Sequence, residues 1–149
     1  MEIAERTLAA GISAGVERLI GLVRSLSPAD GLSLTAAATL ANLERSGPRR
    51  LTGLAVQEGV TQPAMTQLIG RLQEAGLVRR EADPDDGRVV QVQLTDQGRN
   101  MLTRRRAVRA ERLAVILDRI SATDRAALAA ALPAIDALAS AQRDAPLTH

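Results

Sequence analysis

A change in hydrophobic period along the chain is the feature that most constrains its fold. Apolar residues recur at steps of three and four in residues 8–26, which is typical of an amphipathic helix, and the period changes in residues 77–94. Within that segment Val90, Val92 and Leu94 alternate with other residues and share one predicted face. The predicted hairpin comprises strands at residues 77–81 and 88–94 around a turn-rich tip at residues 82–87.

The remaining pattern predicts six helices around this hairpin. They span residues 4–26, 33–45, 52–58, 61–75, 95–120 and 123–141, with a frayed tail at residues 144–149. Thr52, Thr61 and Thr95 are predicted N-caps, and Gly59 and Gly76 are predicted to close the helices before them. The predicted order is therefore α-α-α-α-β-β-α-α, a mostly helical α+β fold.

The composition excludes most kinds of catalytic and metal site. Among its 149 residues the chain has no Cys, Phe, Tyr, Trp or Lys, and its one histidine is His149. A disulfide, a thiolate metal site and a histidine general base are therefore excluded. Single-stranded nucleic acid binders stack bases on aromatic side chains, which this chain lacks. We expect no enzyme activity, no catalytic residue, no metal and no cofactor.

Charge and hydropathy give weaker indications. The net charge is only +2, but every cationic side chain is arginine, and the arginines concentrate in residues 45–112. Glu2 and Glu5 lie where a secretory signal would be basic. The longest apolar stretch, residues 126–135, is far shorter than a membrane span. We therefore expect a cytoplasmic protein with no membrane partner.

The spacing of three residues predicts a helix-turn-helix. This motif needs a small residue in its first helix, a glycine at the turn and an apolar residue in its second helix. Ala55, Gly59 and Met65 supply these at steps of four and six residues. Any alanine-rich chain could match the first pair by chance, so the hairpin that follows strengthens the interpretation.

The predicted helix at residues 61–75 carries a polar face without acidic residues over its first eleven positions. Gln62, Thr66, Gln67 and Arg71 point away from its apolar stripe, and no acidic residue lies between positions 61 and 71. Such a face suits the major groove, where glutamine can bind adenine through two hydrogen bonds. The alternative is an ordinary solvated face, which normally mixes both signs of charge. We favour groove reading.

Two further groups of charged residues lie at the predicted hairpin tip and in the predicted helix at residues 95–120. Arg88 follows Gly87 at the predicted hairpin tip, where an arginine can enter the minor groove, and Asp86 could pair with it. The alternative for this pair is a plain surface salt bridge of little energetic value. The run at residues 104–106, three consecutive arginines on a helix, is predicted to be a solvated and partly salt-bridged surface.

Five segments carry a resemblance to a known family. They are residues 51–55 (LTGLA), 60–66 (VTQPAMT), 76–80 (GLVRR), 83–89 (DPDDGRV) and 94–99 (LTDQGR). With them, the chain resembles the MarR (multiple antibiotic resistance regulator) family over essentially its whole length. The resemblance implies a winged helix-turn-helix that binds double-stranded DNA and regulates transcription.

The resemblance also implies an organisation for the single domain at residues 1–149. It places the DNA-binding part at residues 33–96, and homodimer helices at residues 1–30 and 110–149. The DNA-binding residues it implies are Thr61, Gln62, Pro63, Thr66, Gln67, Arg71, Asp86, Gly87 and Arg88. The family often has a basic residue at the position of Gly87, so we expect this wing to bind DNA less tightly.

The functional interpretation is a ligand-responsive repressor that binds a pseudo-palindromic operator. Members of the family commonly bind small, often phenolic anions in a cleft between the dimerisation and DNA-binding regions. Here that cleft would lack every aromatic side chain, so an aromatic effector is not assumed. The alternative is a non-specific architectural DNA-binding protein, which would show a steep salt dependence and little sequence preference.

Overall fold

The computed structural model of the protein describes residues 2–144, and the side chains of residues 2–141. The elements are α1 (Glu2–Leu26), α2 (Leu34–Ser46), β1 (Arg49–Arg50), α3 (Leu51–Glu58), α4 (Gln62–Glu74), β2 (Val78–Ala82), β3 (Val90–Leu94), α5 (Asp96–Leu117) and α6 (Ala122–Asp144). All six predicted helices and both predicted strands are present, with ends that differ from prediction by at most three residues. Of the predicted frayed tail, residues 145–149 lie outside the described residues.

Strand β1 was not predicted, and the predicted element order is corrected by its presence. The sheet is antiparallel in the order β1-β3-β2, with Arg49 opposite Val92 and Arg50 opposite Gln91. Two residues are too few to show an alternating pattern. This strand depends on a tertiary contact, since it forms by pairing with β3.

An aliphatic core joins the helix-turn-helix to the sheet. Leu40 of α2, Leu54 of α3, Met65 and Ile69 of α4 and Val92 of β3 are at most 1% exposed. The other apolar residues of this core are Ala36, Leu43, Ala55, Leu68, Leu72, Leu77, Val78, Leu94 and Leu102. The core thus lies in the middle of the chain, and it fixes α4 and the hairpin against each other.

Four helices begin at side-chain caps, of which the sequence predicted two. The capping residues are Ser33, Thr61, Thr95 and Ser121. Each accepts, through the side-chain oxygen, a hydrogen bond from the backbone N–H three residues later. The predicted cap Thr52 is wrong: Arg50 occupies the N-cap of α3 and makes no side-chain capping bond. The cause is β1, because its extended backbone continues to Arg50 and α3 begins at the next residue.

The two terminal helices leave apolar side chains in solvent. Leu26 is the one buried residue that α1 contributes, and among the described side chains of α6 none is buried. The exposed apolar residues on these helices are Ile3, Leu8, Ile12, Val16, Leu19 and Ile20 of α1 and Leu128, Leu132, Ile135 and Leu138 of α6. No helix in the described part of the chain has the length and apolar character needed to cross a membrane.

Two arginines of α5 bind the end of α1 and the connection between α1 and α2. Arg105 is 2% exposed and forms an ion pair with Asp30 in the α1–α2 connection. Arg112 Nη1 donates to the carbonyl oxygens of Leu26 and Ser27, at 3.1 and 2.9 Å. The predicted solvated surface at residues 104–106 is therefore wrong for Arg105, whose neighbours on either side are exposed. Its guanidinium tolerates burial because a carboxylate compensates the charge.

Candidate nucleic-acid interface

The turn between α3 and α4 has the geometry that its residue types predict. Gly59 has φ 64°, a left-handed conformation that glycine adopts without a steric penalty. The N–H of Val60 donates to the carbonyl of Ala55 at 3.0 Å, which closes the turn. Ala55 and Met65 are both buried between the two helices. The predicted helix-turn-helix is therefore confirmed as a structural motif.

Helix α4 has one buried face and one polar face. Met65, Leu68, Ile69 and Leu72 face the core, as their spacing predicts. The exposed residues of the predicted DNA-reading set on or beside this helix are Thr61, Gln62, Pro63, Thr66, Gln67 and Arg71. No acidic residue lies in the first turn, so the partial positive charge of the helix N-terminus is uncompensated there.

Two hydroxyls on this face already make local hydrogen bonds. Thr61 Oγ1 accepts from the N–H of Ala64 at 3.3 Å, and Thr66 Oγ1 donates to the carbonyl of Gln62 at 2.9 Å. A hydroxyl that donates its proton to the helix can still accept hydrogen bonds, but it has no proton left for a phosphate oxygen. In this conformation the side-chain donors on this face are therefore the amides of Gln62 and Gln67, the guanidinium of Arg71 and the hydroxyl of Thr61, which accepts a hydrogen bond and keeps its own proton.

We define the wing as β2, β3 and the loop of residues 83–89 between them. At its tip Asp86 Oδ1 accepts from the backbone N–H of Arg88 at 3.1 Å and from Arg88 Nε at 3.3 Å. The Arg88 side chain is 93% exposed, and Gly87 beside it is exposed too. The tip thus presents one arginine to solvent on a loop that Asp86 shapes.

The base of the wing is organised by Asp83, which the sequence singled out only as part of a family segment. Its carboxylate accepts from the N–H groups of Asp85 and Asp86, at 2.8 and 3.4 Å, and from Gln91 Nε2 at 3.1 Å. Arg50 Nη2 forms a salt bridge with it at 3.1 Å. The Asp85 N–H and the Arg50 guanidinium outweigh burial and hold the pKa of Asp83 below its ordinary value.

The hairpin face differs from prediction at the wing tip. Val92 and Leu94 are buried, but Val90, which was placed on the same inner face, is 51% exposed. The alternation is correct, but β3 begins at Val90 next to the tip, beyond the edge of the core, and its inner face becomes buried only from Val92 onward. Val90 therefore has no core residue to cover it.

These features define a winged helix-turn-helix protein, a class that binds double-stranded DNA. A model described as the MarR family matches residues 32–90. An HTH-type transcriptional regulator of Mycobacterium bovis is 33% identical over 118 residues, which cover 79% of this chain and 82% of the relative. The chain belongs to the MarR family of transcriptional regulators.

Solved structures show the same fold. A putative transcriptional regulator of Pseudomonas aeruginosa has a TM-score of 0.75 and 28% identity, and the match covers 91% of this chain and 95% of that one. Bordetella bronchiseptica BpsR, described as regulated in DNA binding by 6-hydroxynicotinic acid, has a TM-score of 0.60 and 20% identity, covering 86% and 91%. The predicted fold class is therefore confirmed.

Proposed function

We propose that this regulator is a repressor that binds a pseudo-palindromic operator as a homodimer. The observation that carries the proposal is the exposed face of α4, which has no acidic residue up to Arg71. One aliphatic core holds this face beside a wing with an exposed arginine at its tip. Residues 33–96 would form the DNA-binding part. Two such parts in a dimer would occupy half-sites about one helical turn apart and block polymerase access.

Each predicted site residue has a proposed role that follows from its position. Gln62 and Gln67 would bind base edges, adenine being the best match to their amides. Thr61, Pro63 and Thr66 would line the approach of the α4 N-terminus to the backbone, and Arg71 would bind phosphate. At the wing Arg88 would enter the minor groove, with Asp86 and Gly87 shaping the tip.

The exposed apolar faces of α1 and α6 support the homodimer. Both helices present leucine, isoleucine or valine at helical spacing, and several of these side chains are more than half exposed. Apolar side chains exposed at helical spacing in this number favour an interaction site. Residues 1–30 and 110–149 are therefore proposed as the dimerisation helices, packed around a two-fold axis.

Replacing Arg88 with alanine is expected to weaken operator binding by about 1–3 kcal/mol, because the variant loses a cation in the groove of strongest negative potential. Arg104→Ala is the matched control, since it removes an exposed arginine outside both the proposed DNA-binding part and the proposed dimerisation helices. Titration of a labelled operator duplex measures both. Equal affinities of wild type and Arg88→Ala would remove Arg88 from the interface.

Replacing Gln62 with alanine is expected to flatten the preference for operator over mutated operators more than it lowers total affinity, because a base contact discriminates between sequences. Gln73→Ala is the control, since it changes an exposed glutamine on the same helix about 16 Å further from its N-terminus. Competition binding with duplexes that differ at single base pairs measures the preference. An equal loss on every duplex would indicate a phosphate contact instead.

Ligand response is proposed at a cavity of about 550 Å³ between the end of α1 and the start of α2. Arg105 and Arg24 line it, and within the described residues Nε and Nη2 of Arg105 are buried without a hydrogen-bond partner. Unpaired guanidinium donors favour an anionic effector. The carboxylate that regulates BpsR fits this chemistry, which supports a small carboxylate as the ligand class here.

A small carboxylate is expected to lower the affinity of the wild type for its operator, and Arg24→Gln is expected to reduce that sensitivity. The probes are 6-hydroxynicotinate, benzoate and acetate, added to the same DNA titration at constant ionic strength. Arg104→Gln is the control because Arg104 is exposed, does not line the cavity and lies outside the proposed dimerisation helices. If all three probes leave wild-type binding unchanged, or if both variants respond alike, the proposed effector site is wrong.

A further inference from the structure

We infer that Arg50 is a positioning residue that sets the place of the wing relative to the recognition helix, by holding the carboxylate of Asp83. The inference rests on the proposed function, because it assigns Arg50 an effect on DNA binding through Arg88 at the wing tip. The sequence interpretation gave Arg50 no role. The geometry points to a clasp, defined as the Arg50–Asp83 ion pair with Gln91 beside it.

The clasp connects the helix-turn-helix to the wing, the two parts of the proposed DNA interface. Arg50 is both the last residue of β1 and the N-cap of α3, which leads through the Gly59 turn into α4. Asp83 is the first residue of the wing loop. Arg50 Nη2 and Nε lie 3.1 and 3.4 Å from Asp83 Oδ2, so the guanidinium reaches the carboxylate through two nitrogens. The start of the helix-turn-helix is thereby tied directly to the wing.

The Asp83 carboxylate links Arg50 to the tip of the wing through hydrogen bonds. Its Oδ1 accepts from the N–H groups of Asp85 and Asp86, while its Oδ2 accepts from Arg50 and Gln91. The Asp83 side chain is 5% exposed, so its orientation is fixed by these partners. Asp86 in turn holds the backbone and Nε of Arg88. A continuous series of polar contacts therefore runs from Arg50 to the arginine at the tip.

Sheet pairing supports the same assignment. Arg50 lies opposite Gln91 across β1 and β3, and both side chains converge on Asp83. Arg49 lies on the same strand and is also exposed, but the ion pair with Asp83 belongs to Arg50. The Arg50 side chain is 55% exposed and outside the aliphatic core, so its removal should leave the fold intact.

The test is a double-mutant cycle on operator affinity, with Arg50→Gln, Arg88→Ala and the double variant. If Arg50 acts through Arg88, Arg50→Gln alone weakens operator binding roughly tenfold. An effect of this size is ordinary for residues that belong to one network of polar contacts. In the Arg88→Ala background, the same change weakens binding less than twofold. A direct phosphate contact by Arg50 would instead give losses that multiply and a lower salt slope. That result would overturn the inference.

Two further variants separate the clasp from charge and from folding. Arg49→Gln removes one charge from the neighbouring position without breaking the clasp, and it should be additive with Arg88→Ala. Asp83→Asn should weaken operator binding as Arg50→Gln does, because both changes break the clasp. If Arg50 instead bound a DNA phosphate directly, Asp83→Asn would free its guanidinium for that contact and operator affinity would not fall. Circular dichroism melting confirms that each variant is folded. Operator affinity unchanged by Asp83→Asn in a folded protein would also overturn the inference.

The cycle distinguishes failure of this inference from failure of the proposed function. If Arg88→Ala leaves binding unchanged, the proposed role of the wing is wrong, and the positioning role falls with it. If Arg88→Ala weakens binding and Arg50→Gln acts independently of it, the wing is functional and only the positioning role is overturned.

Discussion

Replacing Asp30 with alanine is expected to lower the free energy of unfolding by roughly 3 kcal/mol, because it leaves the buried guanidinium of Arg105 without its counter-ion. Arg105 is 2% exposed, and Nη1 is the one guanidinium nitrogen that pairs with Asp30. Its other two nitrogens have no partner within the described residues. The loss is therefore much larger than for a surface ion pair, which contributes about 0–1 kcal/mol.

Glu44→Ala is the matched control for this prediction. It breaks the pair between Glu44 and Arg106, whose side chain is 51% exposed, and should cost less than about 1 kcal/mol. Urea unfolding is followed by far-ultraviolet circular dichroism, since the chain has no aromatic residue to fluoresce. Protomer concentration is held fixed because dimerisation would contribute to stability. Similar losses for the two variants would contradict the account of Arg105.

The Asp30 effect should also depend on pH. Burial raises the pKa of Asp30, but hydrogen bonds from Arg105 and from the N–H of Leu32 outweigh it and hold the pKa below the ordinary 3.8. A lowered carboxyl pKa stabilises the folded state above the unfolded pKa, and this contribution is lost as pH falls through the folded value. The stability difference between wild type and Asp30→Ala should therefore shrink only below about pH 4.

Replacing Gly98 with alanine is expected to destabilise the protein by about 2 kcal/mol or more, although alanine favours helix formation. Gly98 lies in the first turn of α5, and its N–H donates to Thr95 Oγ1 at 3.1 Å. A Cβ built there would lie 2.3 Å from the backbone oxygen of Leu77 and 2.5 Å from Leu94 Cδ1. The Leu77 oxygen also accepts from the Thr95 N–H at 3.1 Å, so it cannot move freely.

Gly53→Ala is the control for Gly98→Ala. Gly53 is exposed in α3, and nothing lies within 4 Å of a Cβ built there. Its replacement should stabilise the protein by roughly 0.5–1 kcal/mol through helix propensity and the loss of unfolded-state freedom. Both changes are read from the midpoint of urea unfolding. A stabilised Gly98→Ala variant would show that α5 can shift away from Leu77, contrary to the packing described above.

Local chemistry explains which features could be predicted from sequence. Met65, Leu68 and Leu72 lie on one face of α4 because of their helical spacing, so the buried face could be predicted without knowledge of the elements that pack against it. Thr61 and Thr95 cap helices through bonds three residues along the chain. Gly59 indicates a left-handed turn because a residue without a Cβ adopts a positive φ without steric penalty. Each of these features depends on residues close in sequence.

Features that depend on distant residues could not be predicted in this way. Strand β1 requires an edge of β3, which lies about forty positions further along the sequence. The burial of Arg105 requires Asp30, 75 positions away, to approach it, and the clasp brings Arg50 to Asp83 across 33 positions. In sequence these are ordinary charged residues, which are usually solvated. Only tertiary packing selects the few that are buried and paired.

The most direct test of the central claim is the binding of the purified protein to the DNA immediately upstream of its own gene, compared with a scrambled duplex at two salt concentrations. A specific dimeric regulator should bind the upstream DNA tightly, protect a short two-fold site, and bind the scrambled duplex far more weakly at either salt concentration. Equal binding to both duplexes that collapses with salt would contradict operator recognition and indicate a non-specific architectural protein.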